Sequence, residues 1–218
     1  GGGSRRFYFE LLLDRPELVP RLAALFGASN FLSNYLVNYP RLIEPLFEDP
    51  NSLLFDRAQL SADYADVVSE SSRQAAGEAG ESEKDGIDLE APLDALRLFH
   101  HRHTFNVALL DLAKKTQRFE TETALSEIAE VCIEEALNLS ELHLAASRED
   151  AAAAAKQGEF LVVGMGKLAS FELTYGSDLD LIFIYQRSEG ATISEASAQD
   201  YYVRLAQRFI SALQTPTA

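Results

Sequence analysis

Asp178 and Asp180, in "SDLDLIFIY", are two carboxylates set one residue apart in a stretch otherwise rich in apolar residues. An ionised carboxylate is costly to bury without a partner, so the pair needs a chemical reason. On a strand, residues i and i+2 share a face, which would place the two carboxylates side by side roughly 6–7 Å apart at the backbone, with Leu179 and Leu181 opposite. Two anions at that spacing attract a cation. Mg²⁺ suits them because it takes hard oxygen ligands and is commonly held by one or two carboxylates plus substrate phosphates. Upstream, the apolar run "EFLVVGMGK" ends in Gly164, Gly166 and Lys167. A glycine turn at a strand end can offer backbone N–H groups to a polyphosphate, and Lys167 adds an ammonium. Together the turn and the carboxylates describe a nucleotidyl-transfer site.

Other chemistries fit less of the pattern. A P-loop needs four residues between its glycines and a Ser or Thr after the lysine, whereas one residue separates Gly164 from Gly166 and Leu168 follows Lys167. A dinucleotide fingerprint is formally met by Gly164, Gly166 and Ala169, with Glu189 near the offset of a ribose-binding acid. That reading leaves Asp178 and Asp180 unexplained, because the second strand of such a fold is covered on both faces. The aspartates also suit a polar strand mouth where they cap backbone donors.

The elements that must position these residues follow from periodicity. From Arg5 to about Arg148 the spacing is helical: "RPELVPRLAALFG" stops at Gly27, "ASNFLSNYLVNYP" has Ser29 or Asn30 as N-cap, and "RLIEPLFEDP" reads as a short helix. A longer helix follows Pro92 and runs to about Arg118, and another covers about Glu122 to Ser147. Asp63 to Glu90 holds nine acids against Arg73 and Lys84, which predicts an exposed helix passing into an acidic loop, solvated or partner-binding. After the alanine run 151–155 the pattern turns to strands, "EFLVVGMG" and "LDLIFIY", then an amphipathic helix over "SAQDYYVRLAQRFISALQ". The expected class is α+β. Residues 1–4 read as a linker or tag remnant, 5–157 as a helical domain with an acidic loop at about 63–90, and 158–218 as the start of a mixed-sheet domain.

Two further clusters invite chemistry. "RLFHHRH" gathers His100, His101 and His103, but metal-sharing histidines on a helix usually sit at i, i+4 and no acidic ligand is interleaved. A solvated basic face, with His103 partly buried beside Phe99 and Val107, competes with the metal reading. Cys132 falls on an apolar helical stripe and reads as a core residue, with nothing nearby to lower its pKa. Composition narrows the partners. The formal charge of −15 opposes nucleic acid and anionic lipid, no apolar run nears the ~20 residues that span a membrane, and a single cysteine suits a reducing cytoplasm.

The order of glycine turn, spacer and "SDLDL" resembles the DNA polymerase β-like nucleotidyltransferase superfamily. The longer string "VVGMGKLASFELTYGSDLDLIFIY", with "LFGASNFLSNYLVNYPRLIEPLF" and "LRLFHHRHTFNVALLDLA", is similar to the glutamine synthetase adenylyltransferase family over nearly all of residues 5–218. The resemblance implies Mg²⁺-dependent transfer of AMP from ATP to a tyrosine of glutamine synthetase, or its phosphorolytic removal, with "GSDLDL" leaning to the adenylylating half. It implies Asp178 and Asp180 as catalytic metal ligands and Gly164, Gly166, Lys167 and Ser177 as nucleotide-binding. Glutamine synthetase is the implied partner, with a nitrogen-signal regulatory protein as a further one. The family often has two glycines where this chain has Ala169 and Ser170. It also continues past "TPTA" into a strand with a third carboxylate, so the sheet is expected to be truncated and the activity impaired, or the chain to be a non-catalytic fragment that binds nucleotide or glutamine synthetase without turnover.

Overall fold

The helices are set by local capping as much as by propensity. In this computed structural model, which describes residues 12–16, 18–39, 42, 56–78, 90–147 and 157–214, the elements run α1 (Leu18–Ala28), α2 (Asn30–Asn38), α3 (Arg57–Glu78), α4 (Glu90–Leu112), α5 (Arg118–Ser147), β1 (Gly158–Gly164), α6 (Gly166–Ala169), β2 (Leu181–Arg187) and α7 (Glu195–Gln214). Two compact units result: 1–54 with 101–121, and 55–100 with 122–218. The short helix expected at "RLIEPLFEDP", apart from Leu42, and the alanine run lie outside the described residues.

In the first unit, Ser29 alone separates α1 from α2, and its hydroxyl accepts the Leu32 N–H at 3.2 Å, the N-cap arrangement its side chain favours. Helix α4 stops at Leu112, earlier than expected. Lys114 adopts φ +54°, and the Lys115 N–H reaches back to the Leu110 carbonyl at 2.9 Å, closing the helix with the left-handed residue usually supplied by glycine. Helix α5 starts four residues before the expected Glu122. Glu120 accepts the Gln117 N–H at 2.6 Å, the reciprocal half of a capping box. His103 is fully buried. The His101 ring stacks on Tyr39 with centroids 3.8 Å apart and shares a hydrogen bond with the Tyr35 hydroxyl. These contacts make His101 part of an aromatic cluster, and no group of three metal-ligating side chains occurs among the described residues.

In the second unit, the acidic segment is helical through Glu78, the exposed helix expected there, which leaves residues 63–78 outside the acidic loop expected at about 63–90. Leu60, Tyr64 and Val67 supply the reason: at i, i+4 and i+7 they form a buried stripe, and Tyr64 meets Phe99 edge-on at 5.7 Å. Residues 79–89 lie outside the described set. Arg57 joins this helix to α5 through Glu130 at 2.7 Å and Glu134 at 3.2 Å. Helix α7 packs its amphipathic face on two sides. Ala198, Tyr201, Tyr202 and Leu205 bury against Leu144 of α5, while Tyr202 stacks on Phe160 of β1 at 5.8 Å and Phe209 meets Phe183 of β2 at 5.5 Å. No described helix is long and apolar enough to cross a membrane.

The two strands pair antiparallel from Gly158↔Arg187 to Gly164↔Leu181. This supports the α+β class, and it removes the dinucleotide reading, whose strand–turn–helix–strand unit pairs its strands in parallel. The inward face of the ladder meets α7. The outward face carries the cross-strand pairs Leu161↔Ile184 and Val163↔Ile182, and Leu161, Ile182 and Ile184 are each about half exposed.

Gly158 sits where β1 passes beneath α7. A Cβ there would run into the Tyr202 hydroxyl and come within 2.6 Å of the Gln186 carbonyl oxygen, whereas a Cβ on helical Gly27 would meet nothing within 4 Å. Gly158→Ala is therefore expected to destabilise by about 1–3 kcal/mol, and Gly27→Ala to stabilise by about 0.5–1 kcal/mol. Urea unfolding followed by circular dichroism reads both; shifts of the same sign would contradict the packing described.

Candidate active site

The glycine turn and the aspartates meet at the open end of the ladder. After Gly164, the Met165 N–H donates to the Asp180 carbonyl at 2.8 Å, carrying the pairing one residue beyond the ladder. Strand β2 itself begins at Leu181, so Asp178 and Asp180 lie on its extended lead-in and not within the strand. The alternation expected of a strand nevertheless holds: Asp178 and Asp180 are exposed, while Ser177 and Leu179 are half-buried. Both carboxylates thus share the outward face with Ile182 and Ile184.

Gly166 is where the turn touches the acids. It has φ +55°, a region that favours glycine, and a Cβ at this position would lie 2.8 Å from the Asp180 Oδ2. The missing side chain therefore makes room for the Asp180 carboxylate directly over the turn. Gly164 has a different task. Its Cβ would press within 2.9 Å of Leu168 Cδ2, and Leu168 is the buried residue that roots α6. Lys167 is exposed beside it. Among the described residues no carbonyl accepts the Gly166 or Lys167 N–H, and no side chain bonds to Asp178, Asp180 or the Lys167 ammonium.

The spacer between turn and acids is internally hydrogen-bonded. Ser170 is held within the turn: its hydroxyl donates to Glu172 Oε2 at 2.9 Å and its N–H to the Gly166 carbonyl at 3.2 Å. The next residue, Phe171, carries the strain. It has φ +56°, which costs an L-residue about 1–2 kcal/mol, and the residue is 40% exposed. Thr174–Ser177 then form a turn closed by the Ser177 N–H on the Thr174 carbonyl at 3.0 Å, with Gly176 at φ +72° in the position a type II turn reserves for it. The Ser177 hydroxyl accepts the Thr174 N–H at 3.0 Å, so Ser177 shapes the approach to Asp178. Leu173, at the middle of the spacer, is buried, and its N–H donates to Ser126 Oγ of α5 at 3.4 Å. Of these contacts only the "TYGS" turn has a clear sequence signal. Ser126 lies in an unbroken helical pattern, and Phe171 has no type that marks a left-handed residue.

The donor set fits Mg²⁺: two hard carboxylates on one exposed face, without protein partners among the described residues. It does not amount to a closed three-ligand cage. Cys132 takes no part. Burial, with Glu135 nearby, pushes its thiol up to about 12, which leaves it protonated and inert.

A family model described as glutamate-ammonia ligase adenylyltransferase matches residues 19–218. The chain is 33% identical to the bifunctional glutamine synthetase adenylyltransferase/adenylyl-removing enzyme of Nitrosococcus oceani over 98% of this chain and 22% of that protein. It is 33% identical to the protein of the same description from Idiomarina loihiensis, over 98% of this chain and 22% of the relative. For the one from Neisseria meningitidis serogroup A the identity is 30%, over 98% and 21%. The chain spans about a fifth of the length of these relatives.

Gly166 and Gly176 separate site geometry from backbone strain. Both have positive φ, but only Gly166 faces a carboxylate; a Cβ on Gly176 meets nothing within 4 Å. Gly166→Ala is expected to weaken Mn²⁺ binding on the order of tenfold or more, as loss of support around a metal ligand does, whereas Gly176→Ala lowers stability with Mn²⁺ affinity retained. Calorimetric titration of both variants checks this, and equal losses would refute the assigned contact.

Proposed function

This chain belongs to the glutamate-ammonia ligase adenylyltransferase family, and from that premise we propose that residues 157–214 carry part of an ATP- and Mg²⁺-binding adenylyl-transfer site acting on a tyrosine of glutamine synthetase. The observation that carries the reading is the placement of the Asp180 carboxylate over Gly166, which joins a phosphate-binding turn to a metal-binding pair. Asp178 and Asp180 would hold the ion. When bound, Mg²⁺ neutralises triphosphate charge and favours attack on the α-phosphorus.

The chain's own contribution is binding and orientation. Lys167 presents its ammonium to the leaving phosphates, and the Gly166 and Lys167 N–H groups offer donors that no described carbonyl uses. Ser177 holds the lead-in to Asp178 through its turn with Thr174. The net charge of −15 favours a protein acceptor over a polyanion. Phosphorolytic removal of AMP would use the same turn and carboxylates, and "GSDLDL" inclines the proposal to the adenylylating direction. A nitrogen-signal regulatory protein and a cytoplasmic setting belong to the same proposal.

The decisive assay supplies Mg²⁺, labelled ATP and glutamine synthetase in its unmodified and adenylylated states. Label on the unmodified protein is the expected outcome. Phosphate-dependent ADP formation from the adenylylated form would assign the removing direction instead. Asp178→Asn combined with Asp180→Asn is expected to abolish Mg²⁺-dependent ATP binding and leave the thermal midpoint equal or higher, because repulsion between like charges is relieved. ATP affinity that is the same in EDTA would refute the metal site, and a midpoint many degrees lower would mean that the aspartates serve the fold.

A further inference from the structure

We infer that Ser126, on helix α5 and far in sequence from the glycine turn, is a positioning residue for the proposed nucleotide site, an inference that rests on that reading. Its side chain is fully buried. The hydroxyl donates to the Glu122 carbonyl at 2.8 Å within its own helix and accepts the Leu173 N–H at 3.4 Å across 47 positions of sequence. Leu173 is buried as well, so water does not compete for its amide, and a buried donor left without an acceptor is penalised.

The bond matters because of what flanks Leu173. On one side the Glu172 N–H donates to the Lys167 carbonyl at 2.8 Å. On the other the Thr174 N–H donates to Ser177 Oγ at 3.0 Å. The residue that presents the ammonium and the residue that precedes Asp178 are thus each one hydrogen bond from a neighbour of Leu173. One hydroxyl on a long helix ties down the midpoint from which both halves of the site extend. Alanine is the better helix former, so replacing Ser126 leaves α5 intact and removes two bonds of the hydroxyl, of which only the one to Leu173 leaves the helix.

Amide hydrogen exchange and calorimetric titration of ATP in the presence of Mn²⁺, on the 218-residue chain and its Ser126→Ala and Ser126→Thr variants, test this. Ser126→Ala is expected to speed exchange at Leu173 by more than about tenfold with the β1–β2 amides unchanged, and to lower Mn²⁺-dependent ATP affinity about 10- to 100-fold, the usual effect of losing support around a metal site. Ser126→Thr, which keeps the hydroxyl, restores both. The inference is overturned by unchanged exchange at Leu173, by equal acceleration throughout the ladder, by unchanged affinity, or by a threonine variant that restores neither property. Should circular dichroism show Ser126→Ala unfolded, Ser126→Cys, similar in size but a weak hydrogen-bonding group, takes its place under the same criteria. A wild-type chain that binds ATP equally with and without Mn²⁺ overturns the function proposal itself, and is told apart from the failures above because it needs no variant.

Discussion

The hydrogen bond from the Met165 amide to the Asp180 carbonyl is the constraint on which the site depends. Strand pairing fixes register, and a slip of one residue would send every side chain of β2 to the opposite face. With Gly164 opposite Leu181, the next step of the pairing sets the first residue of the turn against the second aspartate. Asp178 then follows on the same face by alternation. Neither acid needs a special conformation of its own; their placement is a property of the ladder.

What the ladder cannot do is return the chain from the end of β1 to the start of β2. That task falls to residues 165–180, which use a single helical turn, a left-handed Phe171 and a type II turn at Gly176. A bulky residue with positive φ persists only where its surroundings over-determine it. Here the Phe171 N–H bonds to the Leu168 carbonyl at 3.2 Å, between a buried Leu168 and a buried Leu173 that anchor the loop on either side. The strain is therefore held by two apolar roots and a few backbone bonds.

Much of this arrangement was legible in the residues, and the gaps have physical causes. The aspartates at i and i+2 announced a shared face, and α7 showed its apolar stripe through Tyr202, Leu205 and Phe209. The end of α4 was hidden because Lys114 occupies a position where glycine would have signalled the stop. In the acidic segment the exposed helix was legible, whereas its length through Glu78 rested on only three apolar positions, Leu60, Tyr64 and Val67, among many acids. Strand direction was illegible for a different reason: the connection from β1 to β2 is long enough for a parallel crossover or an antiparallel return, and only the register between the strands decides. Contacts such as Leu173 with Ser126 depend on tertiary placement, which no local pattern encodes.

The one-sided packing of the ladder has a thermodynamic consequence. Apolar side chains that stay about half exposed, as Leu161, Ile182 and Ile184 do, gain only part of the transfer free energy that burial supplies. A lone pair of strands is marginal in water, so the ladder draws its stability from the aromatic stack that Phe160 and Phe183 make with Tyr202 and Phe209. Sheet and helix α7 therefore behave as one cooperative unit. Any fluctuation that lifts the helix also dissolves the pairing of Met165 with Asp180, which makes the geometry at the open end of the ladder an all-or-none property of this segment and not a graded one.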